Sequence, residues 1–421
     1  MLLLAIAHLM SGPWTKGDAA WSREWTGLAE WSRYLLMFVW PLVLGAGAWQ
    51  GARDTRSDMD ELLATVPSSR WRRAVPVASA VAIGVTAGYL GVVAVGAVRV
   101  IASGAALRAD WLVVALLGAL ALVAVALLGL GIGRLLPSVM TPPVAAVAGL
   151  AVQVVLVWRS QESTTALLFT PAVSGGGVSV FTQVAPRAST GQALWFLMLA
   201  ASGLVLFAGT RLRALAAVPL AVGATVLALV VPHGSPVHVP DARALSLVCE
   251  PRVCVTEARK TRLTELRGPS AQALADLAVL PNAPTTVVEH PTSPHLPRTP
   301  GEPDTLGIDL GDPAFRRGGP AELRRALLAG AGTQACATDD STYADVERET
   351  VARTVTAGWF VDDLQPLPGH SYIWAEAQDL IQRTWADLRA LPRAEQVTRV
   401  AAVRSAGLRC EGDLLTVLTE K

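Results

Sequence analysis

Long stretches without any charged side chain constrain this chain more than any other feature. Six such stretches within residues 1–232 are also mostly apolar, and each is 19 to 25 residues long. A helix needs about 17–25 mostly apolar residues to cross a bilayer. The sequence therefore predicts six membrane spans, at about 34–52, 74–98, 111–133, 142–158, 192–210 and 214–232.

The overall composition agrees with a membrane protein. Hydrophobic residues make up 52% of the chain and charged residues 16%, whereas soluble domains carry about 25% charged residues. The formal net charge is only +1. These values exclude a disordered chain and a nucleic-acid binder that depends on its net charge.

The first residues, 1–12, form a weaker candidate. They begin MLLLAIAHLM and stop at a Ser-Gly-Pro sequence, which is too short for a complete span. The basic start and small-residue cleavage site of a signal peptide are missing. We interpret them as the end of a seventh span, first in order, with a segment lying in the membrane interface as the alternative.

Charge divides the chain into two parts. Residues 1–232 hold 15 Lys and Arg and 9 Asp and Glu, a net charge of +6, whereas residues 233–421 hold 20 and 25, a net charge of −5. The second part has no uncharged stretch of spanning length. The predicted fold class is an α-helical integral membrane bundle of six to seven spans (1–232), followed by a small mixed α/β extracytoplasmic domain (233–421).

The distribution of arginine predicts the orientation. Short loops rich in Lys and Arg stay in the cytoplasm, and the loop 51–74 carries five arginines. If the loop 51–74 is cytoplasmic, the alternation of the spans places the N-terminus in the cytoplasm and residues 233–421 outside the cell membrane. The predominance of Arg over Lys, with many Ala and Val, favours a bacterial source. The predicted location is therefore a bacterial plasma membrane, in which the chain is a multi-pass protein.

All four cysteines lie in the part that is predicted to be outside, which indicates two disulfides in an oxidising compartment. Three pairings are possible. We favour Cys249–Cys254, because Glu250-Pro251-Arg252 resembles a turn between two short strands. The remaining bridge is then Cys336–Cys410. A zinc site is the alternative, although no C-x-x-C spacing supports it.

The predicted C-terminal elements are strands and helices in mixed order. We expect strands or a hairpin at 245–255, 285–289 and 305–310. Helices are expected at 270–280, starting near Pro269, and at 321–328, 343–360, 371–391 and 393–406. The domain has no clear catalytic pattern. His290 and His295 lie in a proline-rich loop rather than on one helix, and the sequence around His370 lacks the second glycine of a hydrolase elbow.

Residues that could drive transport within this chain are also missing. The six spans hold no Asp, Glu, Lys, Arg or His between their flanking charges, so we expect no buried titrating group to supply energy. Gln192 is expected near a span end, close to water. A P-loop needs a lysine after a glycine-rich loop, and the three lysines, Lys16, Lys260 and Lys421, have none. An ATP-driven process would need its ATPase in another chain.

The segment 51–74 carries the one family resemblance. Its sequence contains Gly-x-Arg at 51–53 and E-L-L-x-T-x-P-x-S-R at 61–70. It resembles the cytoplasmic coupling segment of ABC transporter permeases of the exporter class. The outer segments 167–171 and 180–186, with Trp195 early in the next span, also fit that family. The resemblance covers about residues 1–232, and the added C-terminal domain departs from it.

The resemblance implies a transport subunit rather than an enzyme. The ATPase-coupling residues that it implies are Arg53, Arg56, Glu61, Leu62, Leu63, Pro67 and Arg70. The expected partners are an ABC-type ATPase subunit, a second permease subunit of the same or a different chain, and the lipid bilayer. No cofactor is expected in this chain, and ATP and magnesium are expected on the ATPase. The alternative is a membrane-anchored sensor or interaction protein whose exported domain is the active part.

Overall fold

A computed structural model of the chain describes residues 25–57, 69–102, 110–159, 166, 168–172, 180–208, 217–231, 236–292, 296, 301–315, 318–337 and 341–420. The chain divides into two compact units, Met1–Val239 and Pro240–Lys421. We call the first the helical bundle and the second the C-terminal domain. The predicted first segment, 1–12, lies outside the described residues.

The helical bundle consists of long apolar helices and one short helix. Among the described residues, five helices are long and apolar enough to cross a membrane, which supports a membrane-embedded protein. In chain order the helices are α1 (Trp25–Gly51), α2 (Arg53–Arg56), α3 (Arg70–Ala102), α4 (Asp110–Leu135), α5 (Thr141–Arg159), α6 (Pro186–Ala208) and α7 (Ala217–Val230).

The described part of the predicted sixth span, 214–232, is helix α7, Ala217–Val230. Residues 214–216 lie outside the described residues. The other helices begin and end near the predicted positions, except that α1 starts by Trp25 instead of residue 34 and α6 starts at Pro186 instead of residue 192. The earlier start of α1 brings Glu30 and Arg33 into the bundle, where both are buried.

That finding corrects the expectation that the bundle contains no buried ionisable group. The prediction counted only residues between flanking charges, and it took Arg33 for such a flank. Gln192, expected near water, is fully buried as well. These polar side chains are buried because they bind one another and the backbone, as described below.

The directions of the helices define the two ends of the bundle. Gly96, late in α3, packs on Leu28, early in α1, so these helices are antiparallel. Gly133, late in α4, packs on Ala48, late in α1, so these two are parallel. The last turns of α1 and α4 and the first turn of α3 therefore share one end, which we call the Arg-rich end.

Helix α4 lies at the centre of the bundle. In its most apolar window 67% of the residues are buried, compared with 17% in α3 and 22% in α5. The exposed residues of α3 and α5 are mostly apolar, among them Ile83, Val98 and Val147. Two helices with wide apolar faces open to the surroundings are what a lipid environment requires, because a soluble monomer rarely exposes such patches.

A small sheet and an apolar cluster lie at the opposite end of the bundle. Strand β1 (Thr182–Val184) pairs with β2 (His238–Pro240). Next to this pair, the Ala185 amide donates to the Val237 carbonyl, at 2.8 Å. Because Gly203, late in α6, packs on Leu127, late in α4, the start of α6 and the small sheet next to it lie at the end opposite to the Arg-rich end.

The C-terminal domain contains a four-stranded sheet in the order β3-β4-β5-β6. The strands are β3 (Leu247–Glu250), β4 (Val253–Thr256), β5 (Thr286–Glu289) and β6 (Thr305–Ile308). Strands β3 and β4 form an antiparallel hairpin with Cys249 opposite Cys254, whereas β4, β5 and β6 run parallel. All the predicted strands are confirmed within a few residues.

Helices pack against this sheet around one apolar core. They are α8 (Ala242–Leu245), α9 (Leu263–Leu277), α10 (Pro320–Leu328), α11 (Tyr343–Val361), α12 (Ser371–Glu376), α13 (Gln378–Ala390), α14 (Arg393–Arg409) and α15 (Leu414–Thr419). Three 3₁₀ turns (Glu257–Arg262, Pro313–Phe315 and Ala329–Ala331) join some of these elements. Trp359, the largest aromatic side chain of this core, is 2% exposed.

Two of the predicted helices have different bounds. The helix that was expected to start near Pro269 starts at Leu263 instead, with Pro269 inside it. Its first turns bury Leu263 and Leu266, and this apolar contact outweighs the proline. The expected helix 371–391 is interrupted at Ala377, which caps both α12 and α13 and is itself buried.

A buried arginine connects the loops beneath the core. Arg404 of α14 is fully buried and donates to the carbonyls of five residues at 2.7–3.1 Å: Asn282, Pro303, Thr305, Ala331 and Gly332. Burial lowers the pKa of Arg404 to about 10, so the guanidinium stays charged at neutral pH. It holds segments that are far apart in sequence.

Both predicted disulfides are confirmed. Cys249–Cys254 joins the two strands of the hairpin, with a Cα–Cα distance of 4.0 Å. Cys336–Cys410 closes a sequence separation of 74 residues, with a Cα–Cα distance of 5.4 Å. The favoured pairing was therefore correct, and the cysteines are bound to each other rather than to a metal.

Candidate functional site

The Arg-rich end of the bundle contains the described part of the segment 51–74. Arg53 and Arg56 lie on α2, and Arg70 is the first residue of α3. The other predicted coupling residues, Glu61, Leu62, Leu63 and Pro67, lie outside the described residues. The two described parts of the segment meet at one end of the bundle because α1 and α3 are antiparallel.

Helix α2 continues from α1 after a single intervening residue. The amide of Ala52 donates to the Ala48 carbonyl, and the amide of Arg56 donates to the Ala52 carbonyl, each at 3.1 Å. The Arg56 guanidinium also reaches back to the Trp49 carbonyl, at 3.2 Å. These bonds join α2 to the last turn of α1.

A second contact joins α2 to the central helix. The Nη1 atom of Arg134, in the last turn of α4, donates to the hydroxyl of Thr55 at 2.8 Å. Neither Arg134 nor Thr55 was among the predicted site residues. A signal was present, since the same charge rule places the Arg134 loop and the 51–74 loop on one side of the membrane.

Glycines bring the backbones of α1 and α4 into direct contact just above this point. A Cβ added at Gly51 would lie 2.1 Å from the Leu130 carbonyl oxygen, and one added at Gly133 would lie 1.9 Å from that of Ala48. Gly47 and Gly129 make similar approaches. Small residues permit such close packing between membrane helices. We call these four residues the glycine seam.

Among the described residues of the Arg-rich end, most exposed charged side chains are basic. Arg53, Arg70 and Arg72 are exposed, while Arg56 and Arg73 are half-buried. Asp54 is the exposed acidic residue among the described positions of the segment. An arrangement of this kind can bind an acidic protein surface or anionic headgroups.

The C-terminal domain brings several ionisable residues to the carboxyl edge of its parallel strands. Glu289 ends β5 and accepts from the amide and the hydroxyl of Thr256, both at 2.8 Å. Arg259 lies 3.2 Å from Glu289 and 3.7 Å from Asp309. Burial raises the pKa of Glu289, and the Arg259 charge and the Thr256 hydrogen bonds partly offset that effect.

A second group at this edge contains one of the histidines. His370 lies 3.4 Å from Asp312 through its Nε2 atom. Burial raises the pKa of Asp312, but the His370 hydrogen bond, the Arg353 charge and the Ala314 amide outweigh it and hold this pKa below its usual value. His290 directly follows β5, and burial lowers the pKa of its imidazole.

These groups do not assemble into a recognisable catalytic or metal centre. Within the described ranges, no cluster of three or more His, Cys, Asp or Glu residues could hold a metal ion. His295 lies outside those ranges. Ser371 begins α12 beside His370, and the surroundings of this serine supply no base–nucleophile pair in the described structure. We therefore take the Arg-rich end as the candidate functional site.

Comparisons with known proteins do not identify the chain. No known protein family matches it. No curated protein and no solved structure matches it either.

Proposed function

We propose that this protein is the membrane-spanning permease subunit of an ATP-driven exporter. The segment 51–74 would dock on a separate ATPase subunit, which binds ATP and magnesium. One observation carries the proposal: the described start of this segment, α2, is bound both to α1 and to the central helix α4. A docking element must be attached in this way if it is to move the bundle.

The contacts suggest how force would pass from the ATPase into the membrane. A push on α2 acts on α1 through the continuous helix hydrogen bonds and on α4 through Arg134 and Thr55. The glycine seam limits movement of α1 relative to α4, since their backbones are already in contact. The two helices would therefore tilt together, and the helices packed around them would have to rearrange.

The surface chemistry fits the same role. Exposed arginines on α2 and at the start of α3 can pair with acidic side chains at the rim of a docking groove, which favours encounter and orientation more than affinity. In this proposal the Arg-rich end faces the bacterial cytoplasm. A second permease subunit completes the transport path, and the C-terminal domain lies outside.

A second candidate is a membrane-anchored sensor or interaction protein. The observation that favours it is the size and independence of the C-terminal domain, which has its own apolar core and two disulfides. In that case the bundle would serve as an anchor, and the partner would bind outside the membrane.

Co-purification from native membranes distinguishes the two candidates. The full chain is isolated in mild detergent, the co-purifying chains are identified, and ATP hydrolysis is measured. We expect an ATPase subunit to co-purify with the unsubstituted chain. It should no longer co-purify with the double variant that carries Arg53→Ala and Arg70→Ala. The matched control is Arg187→Ala, an exposed arginine on α6 at the opposite end, which should retain the ATPase.

The contrary result is equally definite. A parent preparation without an ATPase would refute the exporter and favour the sensor. An ATPase that stays bound in the double variant would place the docking surface elsewhere in the chain.

A further inference from the structure

A short irregular segment is buried at the end of the bundle opposite to the Arg-rich end. Residues 168–172 form neither helix nor strand, yet Leu168, Thr170 and Ala172 are each at most 1% exposed. Irregular backbone at membrane depth is tolerated only where protein groups or water satisfy its polar atoms. The hydrogen-bond partners of its carbonyl groups therefore determine whether the segment is stable in this buried position.

Side chains from two helices bind all five consecutive carbonyls of this segment. Gln192 of α6 donates from Nε2 to the carbonyls of residues 168, 170 and 172 at 3.2, 3.3 and 3.4 Å. Trp195 of α6 donates to the carbonyl of Phe169 at 3.3 Å, and its ring packs edge-on against the Phe169 ring. Arg33 of α1 donates from Nε to the Pro171 carbonyl at 2.8 Å.

Arg33 and Gln192 also bind each other. The Nη2 atom of Arg33 donates to the Gln192 side-chain oxygen at 2.8 Å, and Arg33 is fully buried. Its Nη1 atom has no hydrogen-bond partner among the described residues. A buried charge in a membrane bundle is expensive and is usually functional. Here its bonds connect α1, α6 and the segment 168–172.

The bonds of Gln192 are weak enough to exchange. One amide nitrogen carries two hydrogens, so it cannot bond fully to three carbonyls at the same time. The three distances lie at the long end of the range for hydrogen bonds. The Gln192 bonds to the segment are therefore long, whereas the two Arg33 bonds are short, at 2.8 Å. A small movement of α1 relative to α6 would break the two short bonds.

We propose that Arg33, Gln192 and Trp195 form a latch that holds residues 168–172 as the closed outer gate of the transport path. This inference rests on the proposed exporter function. Arg33 lies on α1, the helix that continues into α2, and Arg53 is 20 residues further along, or about 30 Å at 1.5 Å per residue. Movement of α1 at the Arg-rich end draws Arg33 away from Gln192 and from the Pro171 carbonyl, which leaves the segment held by α6 alone.

Thiol labelling of the gate tests this latch. The native cysteines are all in disulfides, so an introduced Thr170→Cys supplies the one free thiol. The probe is a membrane-impermeant maleimide applied to proteoliposomes that contain the co-purified complex. The control is Ser202→Cys in α6, which makes the same hydroxyl-to-thiol change at a fully buried position. Both thiols should be protected in the resting protein.

Two perturbations should expose the thiol at position 170. Gln192→Glu keeps an acceptor for Arg33 but removes the amide hydrogens that bind the carbonyls, and we expect labelling to rise about tenfold or more, which is about 1.4 kcal/mol in the opening equilibrium. Trp195→Phe removes one donor and keeps a ring, so a smaller rise is expected. In the unsubstituted latch, ATP with vanadate should raise labelling, while the thiol at position 202 stays protected throughout.

The possible failures can be told apart. Protection of position 170 in both latch variants would overturn the latch, and so would an equal rise at position 202, because that would mean general loosening of the bundle. Exposure in Gln192→Glu without any response to ATP would support the latch and refute the exporter.

Discussion

Replacing Gly133 by alanine should weaken the contact between α1 and α4. The added methyl group would lie 1.9 Å from the Ala48 carbonyl oxygen, whereas ordinary contact begins at 3.4 Å. The two backbones must therefore separate by about 1.5 Å, and overpacking of this kind costs about 1–3 kcal/mol. The shift occurs directly above the bond between Arg134 and Thr55, so coupling should weaken along with stability.

Gly84→Ala is the matched control for this substitution. It makes the same chemical change in the membrane helix α3, at a position where an added Cβ has nothing within 4 Å. We expect its stability to lie within about 0.5 kcal/mol of the parent, as for most substitutions away from packed sites. Thermal unfolding of the full chain in detergent, and ATP hydrolysis by the co-purified complex, measure the two effects.

The reasoning would be refuted if Gly133→Ala melted at the parent temperature, or if Gly84→Ala were equally destabilised. The first result would mean that α1 and α4 are not in backbone contact. The second would mean that any methyl group added to this bundle is harmful, whatever its surroundings.

Three further predictions concern the C-terminal domain. Replacing Cys336 and Cys410 by serine should destabilise it by about 4 kcal/mol in the chain-entropy model for a separation of 74 residues, measured by proteolysis of the full chain in increasing urea. Arg404→Met leaves buried carbonyls without a donor and should cost about 3–5 kcal/mol, whereas the exposed Arg409→Met should change stability by less than about 0.5 kcal/mol. The folded pKa of Asp312 lies below its ordinary value of 3.8. The contribution of this carboxylate to the free energy of unfolding is therefore present above pH 3.8 and is lost as the pH falls towards the folded pKa. Asp312→Asn should remove that part of the acid sensitivity in unfolding curves measured over a pH series.

The spans and the disulfides could be predicted because each rests on one dominant physical term. A long, mostly apolar stretch without charged residues is typical of a membrane-spanning helix, so the bounds of α3, α4 and α5 were predicted to within a few residues. The favoured disulfides followed from a short turn between two strands and from elimination. The parallel strands of the C-terminal domain were found as elements because each is bounded by turn residues.

The buried polar core of the bundle could not be predicted in this way. Counting uncharged residues treats every arginine as the edge of a span, so Arg33 was assigned to the boundary. Its burial depends on Gln192 and on the carbonyls of residues 168–172, which lie more than a hundred residues away in sequence. Such partners become visible only when the tertiary structure brings them together.

The candidate site could be predicted only in part, because some of its contacts are local in sequence and others are not. Arg53, Arg56 and Arg70 form a local pattern, and the chain places them at one end of the bundle. Thr55 and Arg134 act as a pair separated by 79 positions, and the charge rule gives only their side of the membrane. The glycine seam could have been noticed as small residues in two spans, but not as a contact.

Site-specific photocrosslinking tests the central claim most directly. A photoreactive amino acid is placed at Arg53 or at Arg70 in the full chain, and native membranes are irradiated before solubilisation. We predict a crosslink to a separate nucleotide-binding ATPase subunit from both positions, and none from the same amino acid at Arg187. Crosslinks to lipid alone, or to the ATPase from position 187 instead, would contradict the proposal that the Arg-rich end couples ATP hydrolysis to this bundle.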